Sequence, residues 1–197
     1  MGRDRKIDDM SVITDAAMAI IEASGMEHLS ARKLTAQLRI SPMTLYNYVE
    51  NRDALLKLLL KRGFEELWTG LREKLQLYTT TKNPLRMYIA LADHMLQFGR
   101  QRPNLYRFLF SSDIARLLSD ETLAQEYRSI SQTLLPRIKD ISKERDILDD
   151  IYMFQVLINA LILGVLDKKV GMSAERFPAL VQRAYDSLLL RNEDYIA

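Results

Sequence analysis

The chain has 197 residues, of which 48% are hydrophobic and 27% charged, with a formal net charge of +2 at pH 7. That length accommodates one large domain or two small ones, and the apolar fraction suffices for a substantial core. Because the chain has no cysteine and two histidines, disulfides and thiolate catalysis are excluded and a metal site is disfavoured, so we expect no metal and no cofactor.

Two features of the sequence bear on targeting. The first residues, Met1 to Lys6, are mostly charged, and no apolar stretch follows them, so we expect no secretory signal. The longest apolar run, 154–166, contains Gln155 and Asn159 and is too short to span a bilayer. We therefore expect a cytoplasmic bacterial protein with no membrane partner.

The apolar residues recur with helical periodicity along the chain, which predicts an all-α fold. A first helix is predicted over 8–24 and ends at Gly25, a residue free to adopt positive φ. Ser30 is a suitable N-cap for a helix over 31–38. Ser41 then caps a short helix that has proline at its first position and ends near residue 49.

Longer helices are predicted after this point. Asn51 caps a helix that reaches a polar break at 79–84. Further helices are predicted over 85–101 and 121–139, with a short segment, 104–110, between them. The segment 147–168 is apolar on nearly all sides between Val156 and Leu166. Ser173 caps a final amphipathic helix.

A helix with two apolar faces must bury both, and the simplest partner for the second face is another copy of the chain. We therefore predict a homodimer formed by the last two helices. The small or apolar residues predicted at this interface are Ala160, Gly164, Val165, Val181, Ala184 and Leu188.

The short helix after Ser41 has the properties of a DNA recognition helix. Leu45 and Val49, four residues apart, are predicted to pin it to the preceding helices. The outward residues are then Met43, Thr44, Tyr46 and Asn47, with Tyr48 on a flank. Residues 1–52 carry seven basic and seven acidic side chains, but 30–52 carries four basic residues and one acid. Basic character therefore falls where contact with DNA requires it.

At these positions the sequence resembles the TetR family of bacterial regulators. The match covers about residues 7–60 and rests on Ser30-Ala31-Arg32-Lys33-Leu34, Leu38, Ile40-Ser41-Pro42, Thr44-Leu45-Tyr46, Val49 and Asn51-Arg52-Asp53-Ala54-Leu55-Leu56. Arg39 departs from the pattern, since the family often has glycine at this turn, and Thr35 replaces a common alanine. The resemblance implies a three-helix helix-turn-helix head, residues 1–52, on a helical effector-binding and dimerisation domain, residues 53–197.

The resemblance also implies roles for individual residues. Thr44 and Tyr46 are expected to bind DNA phosphates, and Met43 and Tyr48 to contact bases. Arg52 is expected to clamp a phosphate, and Arg32 to contact a base or phosphate, although a surface salt bridge explains Arg32 equally well. The predicted DNA-binding set comprises Ser30, Arg32, Pro42, Met43, Thr44, Tyr46, Asn47, Tyr48 and Arg52. Arg3, Arg5 and Lys6 form either a DNA-binding arm or a solvated terminus.

By resemblance, the second domain holds a cavity for a small apolar or amphipathic effector, bounded by the long helix after Asn51, the helix over 85–101 and the last two helices. The candidates are bulky or amphipathic residues on predicted inward faces: Trp68, Met87, Leu91, His94, Phe98, Phe108, Phe110, Tyr152 and Asn159. Each is also explained as an ordinary core residue. A buried His94 needs a polar partner, which is supplied by protein, water or ligand.

The predicted function is a transcriptional regulator, a repressor that an effector releases from a palindromic operator. The first alternative is a helix-turn-helix protein without an effector that acts through protein partners. The second alternative is an all-α enzyme or carrier. The sequence disfavours an enzyme because it has no glycine-rich phosphate loop, no nucleophile elbow and no Cys/His pair.

Overall fold

The computed structural model describes residues 10–76, 84–111, 141–169, 171–173 and 176–195, and in these ranges all regular structure is helical. The α-helices are α1 Met10–Ser24, α2 Ala31–Leu38, α3 Pro42–Tyr46, α4 Arg52–Gln76, α5 Pro84–Gln101, α6 Pro103–Leu109, α7 Glu144–Leu166 and α8 Arg176–Leu188. Short 3₁₀ helices cover Met26–His28, Ile141–Lys143 and Leu190–Tyr195. The predicted all-α class is confirmed, and the helix predicted at 121–139 lies outside the described residues.

The chain divides into two compact units that do not follow the predicted boundary at residue 52. Unit 1 is made by the described residues of Met1–Glu66 and Arg102–Ser129, and unit 2 by those of Leu67–Gln101 and Ile130–Ala197. The first half of α4 and all of α6 therefore belong with α1 to α3. The reason is packing, since α6 lies against α1, and the buried residues of α4 start at Leu55, directly after the predicted boundary.

The core of unit 1 forms where α1 packs on α2 and α6. Ile13, Ala17 and Ile21 of α1 are fully buried, and so is Leu105 of α6. Gly63 lets α4 approach α6 closely, since a Cβ atom there would lie 2.7 Å from Cδ2 of Leu109. A small residue at this point in α4 thus allows three helices to share one core.

An ion-pair network joins the same three helices. The Arg102 guanidinium, directly before α6, contacts Glu22 of α1 and Glu66 of α4, and Arg62 of α4 contacts Asp15 of α1 and Glu66. Burial lowers the pKa of Arg102, but its hydrogen bonds to Glu22 and Glu66 outweigh this effect and leave the pKa raised. Hydrogen bonds to Asp15 and Glu66 raise the pKa of Arg62 as well. These side chains are partly exposed, so each pair contributes modestly.

The turn after α2 places Arg39 in the left-handed region, with φ of 57° and ψ of 46°. This conformation is the one that glycine adopts without strain, so Arg39→Gly should raise the free energy of unfolding by about 1 kcal/mol. Urea denaturation measures the change. Arg39→Ala is the matched control, because it removes the charge but keeps a Cβ atom. Equal stabilities of the two variants would contradict a backbone cause.

In unit 2, α8 packs on α5 and α7, and α5 packs on α7. Tyr88 of α5 makes an edge contact with Phe154 of α7, with ring centroids 5.2 Å apart, and lies 5.7 Å from the ring centroid of Tyr185 in α8. The final helix begins as predicted, since Ser173 Oγ accepts the Arg176 N–H at 3.1 Å.

Asp150 is a buried acid in this unit, with 2% of its surface exposed. Arg191 donates to both of its carboxylate oxygens, at 2.6 and 2.9 Å, and Asn192 Nδ2 donates to Oδ2 at 2.9 Å. Asp150→Ala leaves the buried Asn192 amide without this acceptor, so the free energy of unfolding should fall by about 2 kcal/mol. Asp149→Ala, at the exposed neighbouring position, should change it by less than about 0.5 kcal/mol. Similar losses in both variants, measured by urea denaturation, would show that the buried carboxylate has no special role.

Helix α7 has two apolar faces. Ile151, Phe154, Ile158 and Ile162 are buried inside unit 2, whereas Tyr152, Met153, Val156 and Leu157 are exposed. Its 23 residues are long and apolar enough to cross a membrane by length and composition, with a mean hydropathy of 1.6 over 18 residues, a third of them buried. The sequence analysis considered only the apolar run 154–166, which is too short to span a bilayer, whereas the whole helix begins at Glu144. Core helices of water-soluble proteins satisfy the same criterion.

Candidate nucleic-acid interface

Side-chain caps fix the two helices of the helix-turn-helix. Ser30 Oγ accepts the Lys33 N–H at 3.2 Å at the start of α2, and Ser41 Oγ accepts the Thr44 N–H at 3.1 Å at the start of α3. Between them the left-handed Arg39 and the extended Ser41 reverse the chain. The predicted caps and the predicted proline at the first position of α3 are confirmed.

Helix α3 is anchored on one side and open on the other. Leu45 and Val49 are buried, as predicted from their spacing, while Met43 is 78% and Tyr46 54% exposed. The helix ends at Tyr46, earlier than predicted, and Asn47 and Tyr48 form a turn. The Val49 N–H still donates to the Leu45 carbonyl at 3.0 Å, so one further helical bond keeps Val49 on the inner face.

The structure separates the predicted DNA-binding residues by exposure. Thr44 and Tyr48 are half-buried, and Thr44 Oγ1 lies 2.8 Å from Ser41 Oγ, within hydrogen-bond distance. This contact fixes the position of the Thr44 hydroxyl at the start of α3. The remaining predicted residues are exposed: Ser30, Arg32, Pro42, Met43, Tyr46, Asn47 and Arg52.

A small open cavity lies where α3 meets the N-termini of α2 and α4. It has a volume of about 100 Å³, with an apolar floor and a polar rim. The rim contains the predicted residues Ser30, Tyr46 and Arg52, and the lining as a whole is Leu29, Ser30, Ala31, Leu45, Tyr46, Val49, Asn51, Arg52 and Leu55. The cavity is far too small for a drug-sized molecule.

Asn51 and Ala31 are among the lining residues that were absent from the predicted site. Asn51 Oδ1 accepts the Ala54 N–H at 2.9 Å and so caps α4, which places Arg52 in the first turn of that helix. Helix N-termini present backbone N–H groups and positive potential, and these favour phosphate. The predicted N-cap was the signal that could have placed Asn51 at this cavity.

The charge of this surface is basic. Arg32, Lys33, Arg39 and Arg52 are all exposed, and Glu50 is the acid within 30–52. Lys33 Nζ donates to Ser24 Oγ at 3.0 Å and is directed back toward α1. The proposed arm of Arg3, Arg5 and Lys6 lies outside the described residues.

The effector-pocket candidates do not all lie in the same unit or share the same degree of burial. Phe108 and Phe110 belong to unit 1, and the others belong to unit 2. Trp68, Leu91, Phe98 and Phe108 are buried, and Met87, His94, Phe110 and Asn159 are half-buried. Tyr152 is 67% exposed, so its predicted inward position is corrected, because α7 turns the opposite side into its own core. His94 Nε2 donates to the Leu67 carbonyl at 2.7 Å, so the protein itself supplies the polar partner of this half-buried histidine.

The dimer-interface candidates need a similar correction. Val181 and Ala184 are buried within unit 2, where α8 packs on α5 and α7, and they are not available to a second copy. Ala160 is exposed, and Gly164, Val165 and Leu188 are half-buried. The exposed apolar surface instead follows Tyr152, Met153, Val156, Leu157 and Ala160 along α7. We call this surface the α7 stripe.

Comparison with known sequences gives a local match. No protein-family model matches the chain. A segment of 50 residues is 42% identical to the HTH-type transcriptional repressor DrrR1 of Streptomyces coeruleorubidus. The match covers 25% of this chain and 18% of that repressor, so the likeness concerns one segment of each protein.

Comparison with solved structures shows the fold. The chain matches a TetR transcriptional regulator from Rhodococcus sp. RHA1 with a TM-score of 0.64 and 14% identity, covering 91% of this chain and 94% of the other. It matches the multidrug binding protein EbrR, complexed with imidazole, with a TM-score of 0.64, 15% identity and coverages of 91% and 96%. A third match is the fatty acid degradation regulator FadR of Bacillus halodurans, with a TM-score of 0.61, 15% identity and coverages of 94% and 96%. The all-α, TetR-like fold predicted from the sequence is confirmed.

Proposed function

We propose that this chain, which has the fold of TetR-family regulators, is a DNA-binding transcriptional repressor. The observation that carries the proposal is the construction of α3, whose buried Leu45 and Val49 hold Met43 and Tyr46 toward solvent on a basic surface. The described core of unit 1 gives these exposed side chains no packing role. The local likeness to a named repressor supports the same function.

In the proposed complex the hydroxyls of Thr44 and Tyr46 bind phosphates, and so does Arg52 at the start of α4. The cavity between α2, α3 and α4 supports this assignment, because Tyr46 and Arg52 both line it, beside two helix N-termini. Such contacts set the register of the protein on DNA without reading sequence. Met43, Asn47 and Tyr48 then lie closest to the bases, and Met43 offers an apolar contact to a thymine methyl group.

The acting species is a homodimer that binds a palindromic operator. The α7 stripe supports this proposal, because monomeric soluble proteins rarely leave large contiguous apolar patches exposed. A two-fold axis through this surface pairs each stripe with itself. The dimer presents two α3 helices to half-sites whose centres are about 10 base pairs apart.

An effector bound in unit 2 is proposed to release the DNA by shifting the population toward a conformation that does not match the operator. One structural neighbour is a multidrug binding protein and another regulates fatty acid degradation, which supports ligand-responsive regulation in this fold. The alternative, regulation through protein partners without an effector, predicts that no small molecule binds unit 2. We further propose that the protein works in the bacterial cytoplasm, without a cofactor and without enzymatic activity.

Selection of bound sequences from a random DNA pool tests the proposal. We expect a palindromic consensus, and the affinity for it should fall steeply as salt rises because phosphate contacts release counterions. A consensus without two-fold symmetry would contradict the dimeric complex. Failure to enrich any sequence would contradict the proposed function itself.

A further inference from the structure

Two polar side-chain atoms of unit 2 are buried with no hydrogen-bond partner among the described residues. Trp68 of α4 is 7% exposed and Tyr88 of α5 is 3% exposed, and neither the indole Nε1 nor the phenol oxygen has a hydrogen-bond partner among the described residues. Buried polar groups are nearly always hydrogen-bonded, since an unpaired one loses the free energy of its contacts with water. Two such atoms in one unit are explained if a bound molecule supplies their hydrogen-bond partners.

Both atoms are donors at neutral pH. The indole N–H can only donate, and burial raises the pKa of Tyr88, so its hydroxyl stays protonated. The ring of Tyr88 is held between Phe154 and Tyr185, which fixes where its hydroxyl points. A molecule that satisfies these groups must therefore carry acceptor atoms.

The buried charged groups in the described part of unit 2 offer no free counter-charge to a charged molecule. Asp150 is the buried charged residue in the described part of unit 2, and Arg191 and Asn192 already occupy its oxygens. His94 uses its Nε2–H on the carbonyl of Leu67, the residue before Trp68 in the chain, so that nitrogen is already engaged by the protein. An ion entering here would lose its hydration without gaining a counter-charge.

We propose that unit 2 binds a neutral, mostly apolar molecule with hydrogen-bond acceptor oxygens, which accept from Trp68 Nε1–H and Tyr88 O–H. The proposed binding depends only on the two donors, whereas any effect of the ligand on DNA binding rests on the proposed function. Trp68 and Tyr88, and not His94, are the residues proposed to hydrogen-bond the ligand, because His94 already has its partner in the protein.

Three molecules of the same size and shape test the class of ligand: 1-tetralone, a neutral ketone; tetralin, which lacks an acceptor; and 1-aminotetralin, a cation at neutral pH. The chain has one tryptophan, so its indole N–H gives a single assignable signal in a ¹⁵N–¹H spectrum. We expect 1-tetralone to bind about tenfold more tightly than tetralin, because its oxygen accepts two hydrogen bonds that contribute a few-fold each, and to move the indole proton downfield. The amine should bind more weakly than either.

Conservative variants identify the donors. Trp68→Phe and Tyr88→Phe keep an aromatic ring and remove one donor each, so each should reduce the preference for 1-tetralone over tetralin several-fold while leaving the affinity for tetralin nearly unchanged. Tyr152→Phe, which removes an exposed hydroxyl on α7, is the matched control and should leave the preference unchanged. A preference that survives both donor variants would overturn the assignment of the residues.

Equal affinities for the three molecules, or no movement of the indole signal with any of them, would overturn the proposal. Operator binding by the unmodified chain is measured in parallel, so that the two proposals can fail separately. Operator binding without a preference for the ketone contradicts this inference alone. A preference for the ketone in a chain that binds no operator contradicts the proposed function alone.

Discussion

The double substitution Thr44→Ala, Tyr46→Ala is expected to weaken operator binding by about 100-fold or more. Each hydroxyl is proposed to donate one hydrogen bond to a charged phosphate, a type of bond whose loss costs on the order of 1.5 kcal/mol or more. Two such losses amount to about 3 kcal/mol, which corresponds to a factor above 100. Fluorescence anisotropy with the selected operator measures the change.

The structure indicates that these substitutions spare the fold. Tyr46 is 54% exposed, and Ser41 caps α3 through the backbone N–H of residue 44, which remains after Thr44→Ala. Tyr46→Phe alone should weaken binding to all DNA sequences alike, by about tenfold. Met43→Ala, at an exposed position on the same helix, should alter sequence preference instead. Equal operator affinities of the double variant and the unmodified chain would rule out the phosphate assignment.

The second large effect is expected at the α7 stripe. Met153→Glu combined with Val156→Glu should convert the dimer to a monomer, because two carboxylates per chain would have to lose water in an apolar interface without partners. Light scattering should then give a mass near 22.9 kDa, against twice that value for the unmodified chain. The affinity for the operator should fall when the dimer dissociates, since a single helix-turn-helix head contacts only half of the palindrome.

Ser187→Glu, which places the same charge on the exposed side of α8, is the matched control and should leave the dimer intact. A dimer that survives the double substitution would place the interface elsewhere. If the unmodified protein at micromolar concentration has the mass of one chain, the proposed homodimer is contradicted. Partition of the unmodified protein into lipid vesicles would assign the apolar stripe to a membrane instead.

The parts of the fold that the sequence predicted well are those set by local chemistry. Ser30, Ser41, Asn51 and Ser173 all cap the helices expected, because a side-chain oxygen satisfies backbone N–H groups a few residues away and needs no distant partner. The inner face of α3 was also predictable, since Leu45 and Val49 are its suitably spaced apolar residues.

The parts that were missed depend on long-range packing. Val156, Leu157 and Ile158 are equally apolar, and no periodicity in α7 shows that Ile158 faces its own core while the other two face outward. On α8, Val181 and Ala184 have the sizes suited to a close dimer contact, but they serve the core of unit 2. The division of α4 between two units follows from its packing partners, which a single sequence does not reveal.

The candidate site shows the same contrast. The exposed residues of α3 could be deduced from helix geometry and the resemblance. The cavity beside Asn51 could not be deduced from the sequence. Nor could the lack of a hydrogen-bond partner for Trp68 and Tyr88 among the described residues, because burial and long-range hydrogen bonding are properties of the folded chain.

Affinity cleavage from α3 tests the central claim, that this helix enters the DNA of a dimeric complex. The chain lacks cysteine, so Met43→Cys introduces a single thiol at a position that is 78% exposed, and an iron–EDTA group attached to it cuts DNA nearby. We predict two cleavage sites on the selected operator, placed symmetrically about its centre and roughly 10 base pairs apart, and none from the same group attached through Ser187→Cys on α8. Cleavage from the α8 position with none from the α3 position would contradict the account.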